Sequence, residues 1–207
     1  MYQPAHHRED RLDVQHDLIA SHPLGLLISV GPEGPIANAL PFLLQRQTGP
    51  LGLLQAHMAR ANAQWKELDG QKVLTVFQGP QAYVSPSFYA TKRETGKVVP
   101  IWNYAMVQAR GTARVRADAA WLDAQIDRLT SKHETGRAHT WAVSDAPRAY
   151  IESQMRGIVG IEIEIEEIEG KWKVSQNRQE PDRWAVAEGL LQDAPDMSAL
   201  VKSYGSI

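Results

Sequence analysis

The sequence predicts a mainly β protein of the α+β class, in which antiparallel strands form a barrel with flanking helices. The clearest indication is IVGIEIEIEEIE, residues 158–169, where isoleucine and glutamate alternate as they do on the two faces of a strand. Roughly six to eight short strand-like segments are joined by turns rich in glycine and proline, which favours antiparallel pairing. Strands and helices do not alternate regularly, and this argues against a doubly wound parallel sheet.

The first half of the chain is predicted to be a helix followed by strand hairpins. Leu12, His16 and Ile19 recur at helical spacing, and Pro23 ends the helix because the residue before a proline disfavours the α region. Pro41 indicates a sheet edge or a bulge. The predicted elements are a helix over 9–21, strands over 24–30, 36–44 and 51–57, a short helix over 59–68, and strands over 73–77 and 82–85.

The second half begins with a long polar loop and ends with two short helices. Asp118 is the predicted N-cap of a helix with an apolar stripe, and Gly170 is predicted to turn the chain between two strands. The predicted elements are a loop over 87–100, a strand over 101–115, a helix over 119–134, strands over 158–169 and 171–176, and helices over 181–191 and 196–204. We expect a single domain over 1–207, with residues 179–207 as a helical C-terminal tail.

Composition narrows the class of function. A hydrophobic content of 43% suffices for a core, and no apolar run is long enough to cross a membrane. The absence of cysteine excludes disulfides and, with an N-terminus that lacks the apolar segment of a secretion signal, favours a cytoplasmic protein. The net charge of −2 and the lack of a basic recognition helix argue against direct DNA binding. The seven histidines show no metal-ligand spacing, so no metal site is expected.

A first candidate site is HMARANAQW, residues 57–65, where a strand passes into a helix. Helix N-termini present unpaired amides, and Arg60 adds a cation, so His57, Arg60 and Asn62 suit a phosphate group. An N-capped surface helix with a solvated arginine explains the pattern equally well.

A second candidate site is the segment 76–111, which combines aromatic, hydroxyl and cationic residues suited to a flat ligand with a phosphate. Trp102 and Tyr104 flank Asn103. This arrangement suits a platform on which a ligand ring stacks while the amide bonds the edge of the ring. The alternative is a strand with both aromatic rings in the core and Asn103 in water. Lys92 and Lys97 are either ligand contacts or solvated loop cations.

A third candidate is GKWKVSQNR, residues 170–178, in which Ser175 and Gln176 offer donors and acceptors to a heterocycle. A hairpin with a polar turn is the alternative.

Together these motifs resemble the PaiB family of FMN-binding negative transcriptional regulators. The matching pieces run in order along nearly the whole chain: MYQPAH (1–6), HMARANAQW (57–65), VFQGPQAYVSPSFY (76–89), TKRETGKVVPIWNY (91–104), LTSKHE (129–134) and GKWKVSQNR (170–178).

The resemblance implies an FMN-binding split β-barrel, related to pyridoxamine-phosphate oxidases, that forms a homodimer with FMN at its interface. ARANAQW is similar to the phosphate-binding SRKA-x-QL stretch of those oxidases, with Arg60 and Gln64 at matching positions and Ala61 in place of a lysine that Lys92 could replace. The residues that the motifs and the resemblance predict to bind FMN are Asn38, Leu40, His57, Arg60, Asn62, Lys92, Trp102, Asn103, Ser175 and Gln176. His7 and Gln108 also depart from the family pattern, which usually has phenylalanine and histidine there.

Three functions follow from the resemblance. The first is a PaiB-type negative regulator of transcription that acts indirectly through flavin-dependent redox chemistry. The second is a flavin-dependent oxidoreductase of unknown substrate without a regulatory role. The third is a haem-binding split-barrel protein with His57 or His133 as axial ligand. The sequence leaves open whether the protein is an enzyme, and its expected partners are a second copy and a flavin or small substrate, without a membrane.

Overall fold

A computed structural model describes residues 1–204, so the last three residues of the predicted C-terminal tail lie outside the described part. Within residues 1–204, no helix has both the length and the apolar character needed to cross a membrane.

Eight strands and six helices account for most of these residues. The strands are β1 (Arg8–Glu9), β2 (Leu24–Gly31), β3 (Gly34–Pro41), β4 (Leu43–Gln45), β5 (Leu53–Ala59), β6 (Lys72–Val84), β7 (Ile101–Arg116) and β8 (Ile158–Lys173). The helices are α1 (Leu12–Ser21), α2 (Lys92–Thr95), α3 (Ala119–Glu134), α4 (Arg148–Met155), α5 (Glu180–Leu190) and α6 (Pro195–Tyr204).

The strands form an antiparallel sheet in the order β3–β2–β6–β7–β8–β5–β4, with β1 added on β8. β2 and β3 form a hairpin, and β5 pairs with β8 so that His57 lies opposite Gly160. The chain divides into two compact units. The first unit comprises residues 1–18, 78–107 and those from 169 onward, and the second comprises residues 19–77 and 108–168.

The core of the second unit lies on the inner faces of β2, β5, β6 and β8. Phe42 and Phe77 are fully buried and meet edge to face, with ring centroids 5.6 Å apart. Residue 25 must be a glycine, because a Cβ there would lie 2.6 Å from the Phe77 ring. A separate apolar cluster of Leu122, Val143, Ile151 and Met155 joins α3 to α4.

The core of the first unit packs α5 and α6 with the end of β8. Trp172 stacks on Tyr204 of α6, with centroids 6.3 Å apart. The Tyr204 hydroxyl donates to the buried carboxylate of Glu9, which Arg11 also holds at 2.6 and 2.8 Å. The hydrogen bond from Tyr204 thus links the first residues of this unit to its last helix.

Two predicted strand breaks are wrong. The strands predicted over 73–77 and 82–85 form the single strand β6, which ends at Val84, and β8 runs through Gly170 instead of turning there. Each glycine permits a close contact. A Cβ on Gly79 would lie 2.9 Å from Leu18 of α1, and a Cβ on Gly170 would lie 2.8 Å from the carbonyl oxygen of Glu9 on β1.

The predicted helix over 59–68 is also wrong. β5 continues to Ala59, which pairs with Ile158, and only Ala63–Glu67 forms a short 3-10 helix. The helix over 119–134 and its N-cap are confirmed, since the Asp118 carboxylate accepts the Trp121 N–H at 2.8 Å. The two C-terminal helices are confirmed within one residue at each boundary.

Candidate functional site

The end of β5 presents His57, whose ring is half-buried in the second unit. Its Nδ1 lies 2.8 Å from Oε1 of Gln125 on α3. Gln125 is fully buried, and its Nε2 has no hydrogen-bond partner among the described residues. A polar contact between helix and strand therefore fixes one nitrogen of the histidine.

Arg60, the predicted phosphate ligand, follows three residues later and is exposed. Its Nε and Nη2 donate to the carbonyl oxygens of Arg156 and Ile158 at 3.2 and 3.0 Å. The guanidinium also lies over the Trp65 ring at 5.7 Å. Arg60 is therefore held in one orientation and is not a freely solvated cation.

Arg60 lines a cavity of about 320 Å³ in the second unit, and further cationic side chains line the same cavity. Arg148 and Arg156 line it together with Glu152. Arg148 is committed to Asp123 and Glu152 at 2.7 and 2.9 Å, which leaves Arg156 as the other exposed arginine in the lining of this cavity. The positions predicted from ARANAQW thus lie beside a cation, Arg156, that sequence analysis missed.

The amides of this region bind one another. Nδ2 of Asn38 donates to Oε1 of Gln64 at 2.8 Å, and Nε2 of Gln64 donates to the Ser29 hydroxyl at 2.9 Å. Oδ1 of Asn62 accepts the backbone N–H of Gln64 at 3.0 Å. This chain of bonds ties the short 3-10 helix to the β2–β3 hairpin, whose Leu40 is buried.

In the first unit, Asn103 is fully buried and paired with Ser175. Nδ2 of Asn103 lies 2.9 Å from the Ser175 hydroxyl. Gln176 is likewise engaged, with bonds of 2.5 and 2.8 Å to the backbone of Trp172 and Val174. The side chains of these three predicted FMN ligands are therefore hydrogen-bonded to neighbouring groups of the protein.

The aromatic platform is exposed. Trp102 is 54% exposed and meets Tyr83 edge to face at 6.1 Å. The alternative that put Trp102 in the core and Asn103 in water is therefore wrong. Lys92, also in the first unit, is exposed at the start of the four-residue helix α2.

A buried charged network holds α3 to the sheet of the second unit. Glu162 on β8 accepts hydrogen bonds from Gln55 at 2.8 Å, Arg116 at 2.6 Å and Trp121 at 3.3 Å. Burial raises the pKa of this carboxyl, but the three hydrogen bonds outweigh it and hold the pKa below its ordinary value. The alternation of isoleucine and glutamate places Glu162 on the face opposite the isoleucines and gives no sign of this network.

The positions that depart from the family pattern have different surroundings. His7 is buried as an apolar residue would be, and burial lowers its pKa with help from neighbouring His6. Gln108 is half-buried and accepts a long bond of 3.5 Å from Arg110, while Ala61 is exposed. Within residues 1–204, no three histidine or carboxylate side chains are grouped as metal ligands would be.

Comparison with known proteins identifies the family. The family described as "Putative FMN-binding domain" matches residues 1–167. An uncharacterised protein of Emericella nidulans is 37% identical over 92% of this chain and 90% of its own. The Bacillus subtilis "Protease synthase and sporulation protein PAI 2" is 29% identical over 93% of this chain and 90% of its own.

Solved structures share the fold at low sequence identity. The flavocytochrome Anf3 of Azotobacter vinelandii has a TM-score of 0.57 and 14% identity, covering 80% of this chain and 68% of its own. An FAD and haem binding protein of Mycobacterium smegmatis has a TM-score of 0.57 and 19% identity, covering 92% and 78%. The predicted split-barrel fold is thus confirmed. The match to the FMN-binding family confirms the predicted cofactor. The chain belongs to the FMN-binding PaiB family, as its motifs indicate.

Proposed function

We propose that this protein binds FMN as a homodimer and lowers transcription indirectly, through flavin-dependent redox chemistry. The observation that carries the proposal is the end of β5, where an exposed, oriented arginine follows a half-buried histidine. When bound, the flavin supplies the redox centre, and the protein binds and orients it.

Two arginines of the second unit fit the phosphate end of FMN. Trp65 and two carbonyl oxygens orient the Arg60 guanidinium, which binds them through its ring contact and through Nε and Nη2. Its Nη1 can then donate to an anion. Arg156 lines the same cavity and can supply the second positive charge that Ala61 does not. Lys92, which belongs to the first unit, stays a predicted ligand.

Among the predicted FMN ligands of the first unit, one has an exposed aromatic ring and three hold the surrounding strands in place. Trp102 offers an exposed aromatic face suited to a flavin ring or a flat substrate. The other three act indirectly on ligand binding, because their hydrogen bonds fix the strand that bears Trp102 and the end of β8; they are Asn103, Ser175 and Gln176.

An uncovered apolar sheet face supports the homodimer. The outward residues of β2 are all apolar, and Leu24, Leu26 and Val30 are 66%, 44% and 63% exposed. Val76 and Leu74 of β6 lie opposite Leu26 and Ile28, so this face continues onto the next strand. We name this surface, residues 24, 26, 28, 30, 74 and 76, the β2–β6 face. Apolar surfaces of this kind mark association sites.

The net charge and the charges on α3 favour an indirect effect on transcription over direct DNA binding. The net charge of −2 gives little general attraction to DNA. The long helix α3 mixes Arg128 and Lys132 with Asp123 and Asp127, so it offers no uniformly basic face. The name of the B. subtilis relative connects that protein with protease synthesis and sporulation, which is consistent with a regulatory effect. We also propose that the protein is located in the cytoplasm.

A comparison of transcripts separates regulation from redox chemistry alone. Cells carrying the wild-type gene, an Arg60→Ala gene or a deletion are compared by RNA sequencing. If regulation requires the flavin, Arg60→Ala reproduces the deletion, and purified protein does not retain promoter DNA at physiological salt. Identical transcripts in all three strains would leave an oxidoreductase without a regulatory role, and salt-resistant retention of one promoter would replace the indirect route by a direct one.

Haem binding is the second candidate, because two fold neighbours are a flavocytochrome and an FAD and haem binding protein. His57 suits an axial ligand better than His133, since Gln125 orients its ring while His133 is exposed on α3. Added haem should then give a Soret band that His57→Ala abolishes and His133→Ala preserves. Absence of that band excludes this candidate.

A further inference from the structure

The contact between His57 and Gln125 follows from helix geometry. Trp121 and Gln125 are four residues apart on α3 and therefore share one helix face. The Trp121 ring lies over Gly160, where a Cβ would be 2.1 Å from Cζ3, and Gly160 is the strand partner of His57. The same face consequently brings the fully buried Gln125 amide against the imidazole, with Oε1 2.8 Å from Nδ1.

This contact selects a tautomer. A carbonyl oxygen only accepts, so Nδ1 must carry the proton that lies between the two atoms. In the neutral ring, Nε2 then holds a lone pair. It makes no hydrogen bond within the described residues and is free to act as an acceptor. Free histidine side chains prefer the opposite tautomer, so this state depends on Gln125.

We propose that Gln125 is a positioning residue that holds His57 in the Nδ1–H tautomer, so that Nε2 accepts a hydrogen bond from the imide N–H of a flavin ring. The oxidised isoalloxazine has a single N–H, the imide, and its other polar ring atoms are acceptors. An acceptor nitrogen on the protein can therefore recognise only that position. The ligand half of this proposal rests on FMN binding, whereas the tautomer half does not.

Nitrogen NMR tests the tautomer without any flavin. Histidine-labelled protein is recorded at a pH where the imidazole is neutral, and His57 is assigned by its loss in His57→Gln. We expect a protonated Nδ1 and an unprotonated Nε2 in the wild type and in Gln125→Glu, which keeps an acceptor oxygen. Gln125→Met lacks the acceptor and should shift His57 toward the Nε2–H form. A wild-type His57 in the Nε2–H form would overturn the proposal, because the Gln125 amide would then face Nδ1 with its nitrogen.

An N3-methylated FMN tests the ligand. In the wild type its dissociation constant should exceed that of FMN by about 2- to 10-fold, the worth of one lost hydrogen bond. Gln125→Met should bring this ratio toward one, and Gln125→Glu should restore it. Gln71→Met is the matched control, since it removes a half-buried glutamine of the second unit whose side chain donates to the carbonyl oxygen of Val30. Circular dichroism confirms that each variant is folded.

The outcomes of the two experiments are separable. An Nδ1–H His57 with a ratio that Gln125→Met leaves unchanged would refute the imide contact and keep the tautomer. A wild-type protein that binds no flavin would refute the proposed function and the imide contact together, while the NMR result would still decide the role of Gln125.

Discussion

Asn103 donates a 2.9 Å hydrogen bond to Ser175 in the buried part of the first unit, and Ser175 has a φ of 64°. No other non-glycine residue between 1 and 204 has a positive φ. The left-handed region costs a serine roughly 1–2 kcal/mol, so its surroundings must compensate. The Asn103 amide provides part of that compensation.

Substitutions at Ser175 should separate the strain from the hydrogen bond. Ser175→Ala loses the hydroxyl and keeps the strain, while Ser175→Gly loses the hydroxyl and relieves it. We expect Ser175→Ala to be less stable than Ser175→Gly by about 1 kcal/mol in urea unfolding. Equal stabilities would show that the backbone conformation carries no strain here.

Glu162 should make stability depend on pH. Its lowered pKa means that its carboxylate stabilises the fold above the unfolded pKa of about 4.3, and this stability is lost as the pH falls through the lower folded value. Glu162→Gln should reduce the unfolding free energy by about 1–3 kcal/mol at neutral pH, and the difference should shrink in acid.

Glu164→Gln is the matched control for this prediction, because Glu164 lies on the same strand and is exposed. Its effect should stay within about 0.5 kcal/mol at every pH. A Glu162→Gln effect that is the same at acid and neutral pH would refute the role of the Glu162 carboxylate.

The β2–β6 face should form the dimer interface. Leu26→Glu places a charge at its centre, and desolvating that charge would oppose association. Light scattering after gel filtration should show a dimer for the wild type and a monomer for Leu26→Glu. Leu191→Glu, at an exposed leucine that follows α5, is the control and should remain dimeric. A dimeric Leu26→Glu protein would place the interface elsewhere.

Local signals in the sequence predicted the elements that depend on local interactions. α3 was predictable because Asp118 caps it and its apolar residues recur at helical spacing. β6 and β8 were not, because Gly79 and Gly170 resemble turn signals. Their role is to admit α1 and β1, and such contacts join residues far apart in sequence.

The motifs located the candidate site, but not the roles of its residues. His57 and Arg60 follow from HMARANAQW. Gln125 lies 68 residues away from His57 and is joined to it by a tertiary contact. A glutamine beside the apolar stripe of α3 was a weak signal of a buried polar partner. The sequence could not show that Asn103 faces inward, because Trp102 and Tyr104 share the opposite face and large aromatic residues are usually the buried ones.

The most direct test of the account is a titration of the purified protein with FMN and with riboflavin, followed by flavin fluorescence. We predict saturable binding of one FMN per chain. Arg60→Ala should weaken FMN binding by about 5- to 150-fold, equal to ~1–3 kcal/mol, and leave riboflavin unchanged because riboflavin has no phosphate. Lys66→Ala, an exposed cation in the adjacent 3-10 helix, should affect neither ligand. No saturable binding of FMN by the wild-type protein would contradict the account.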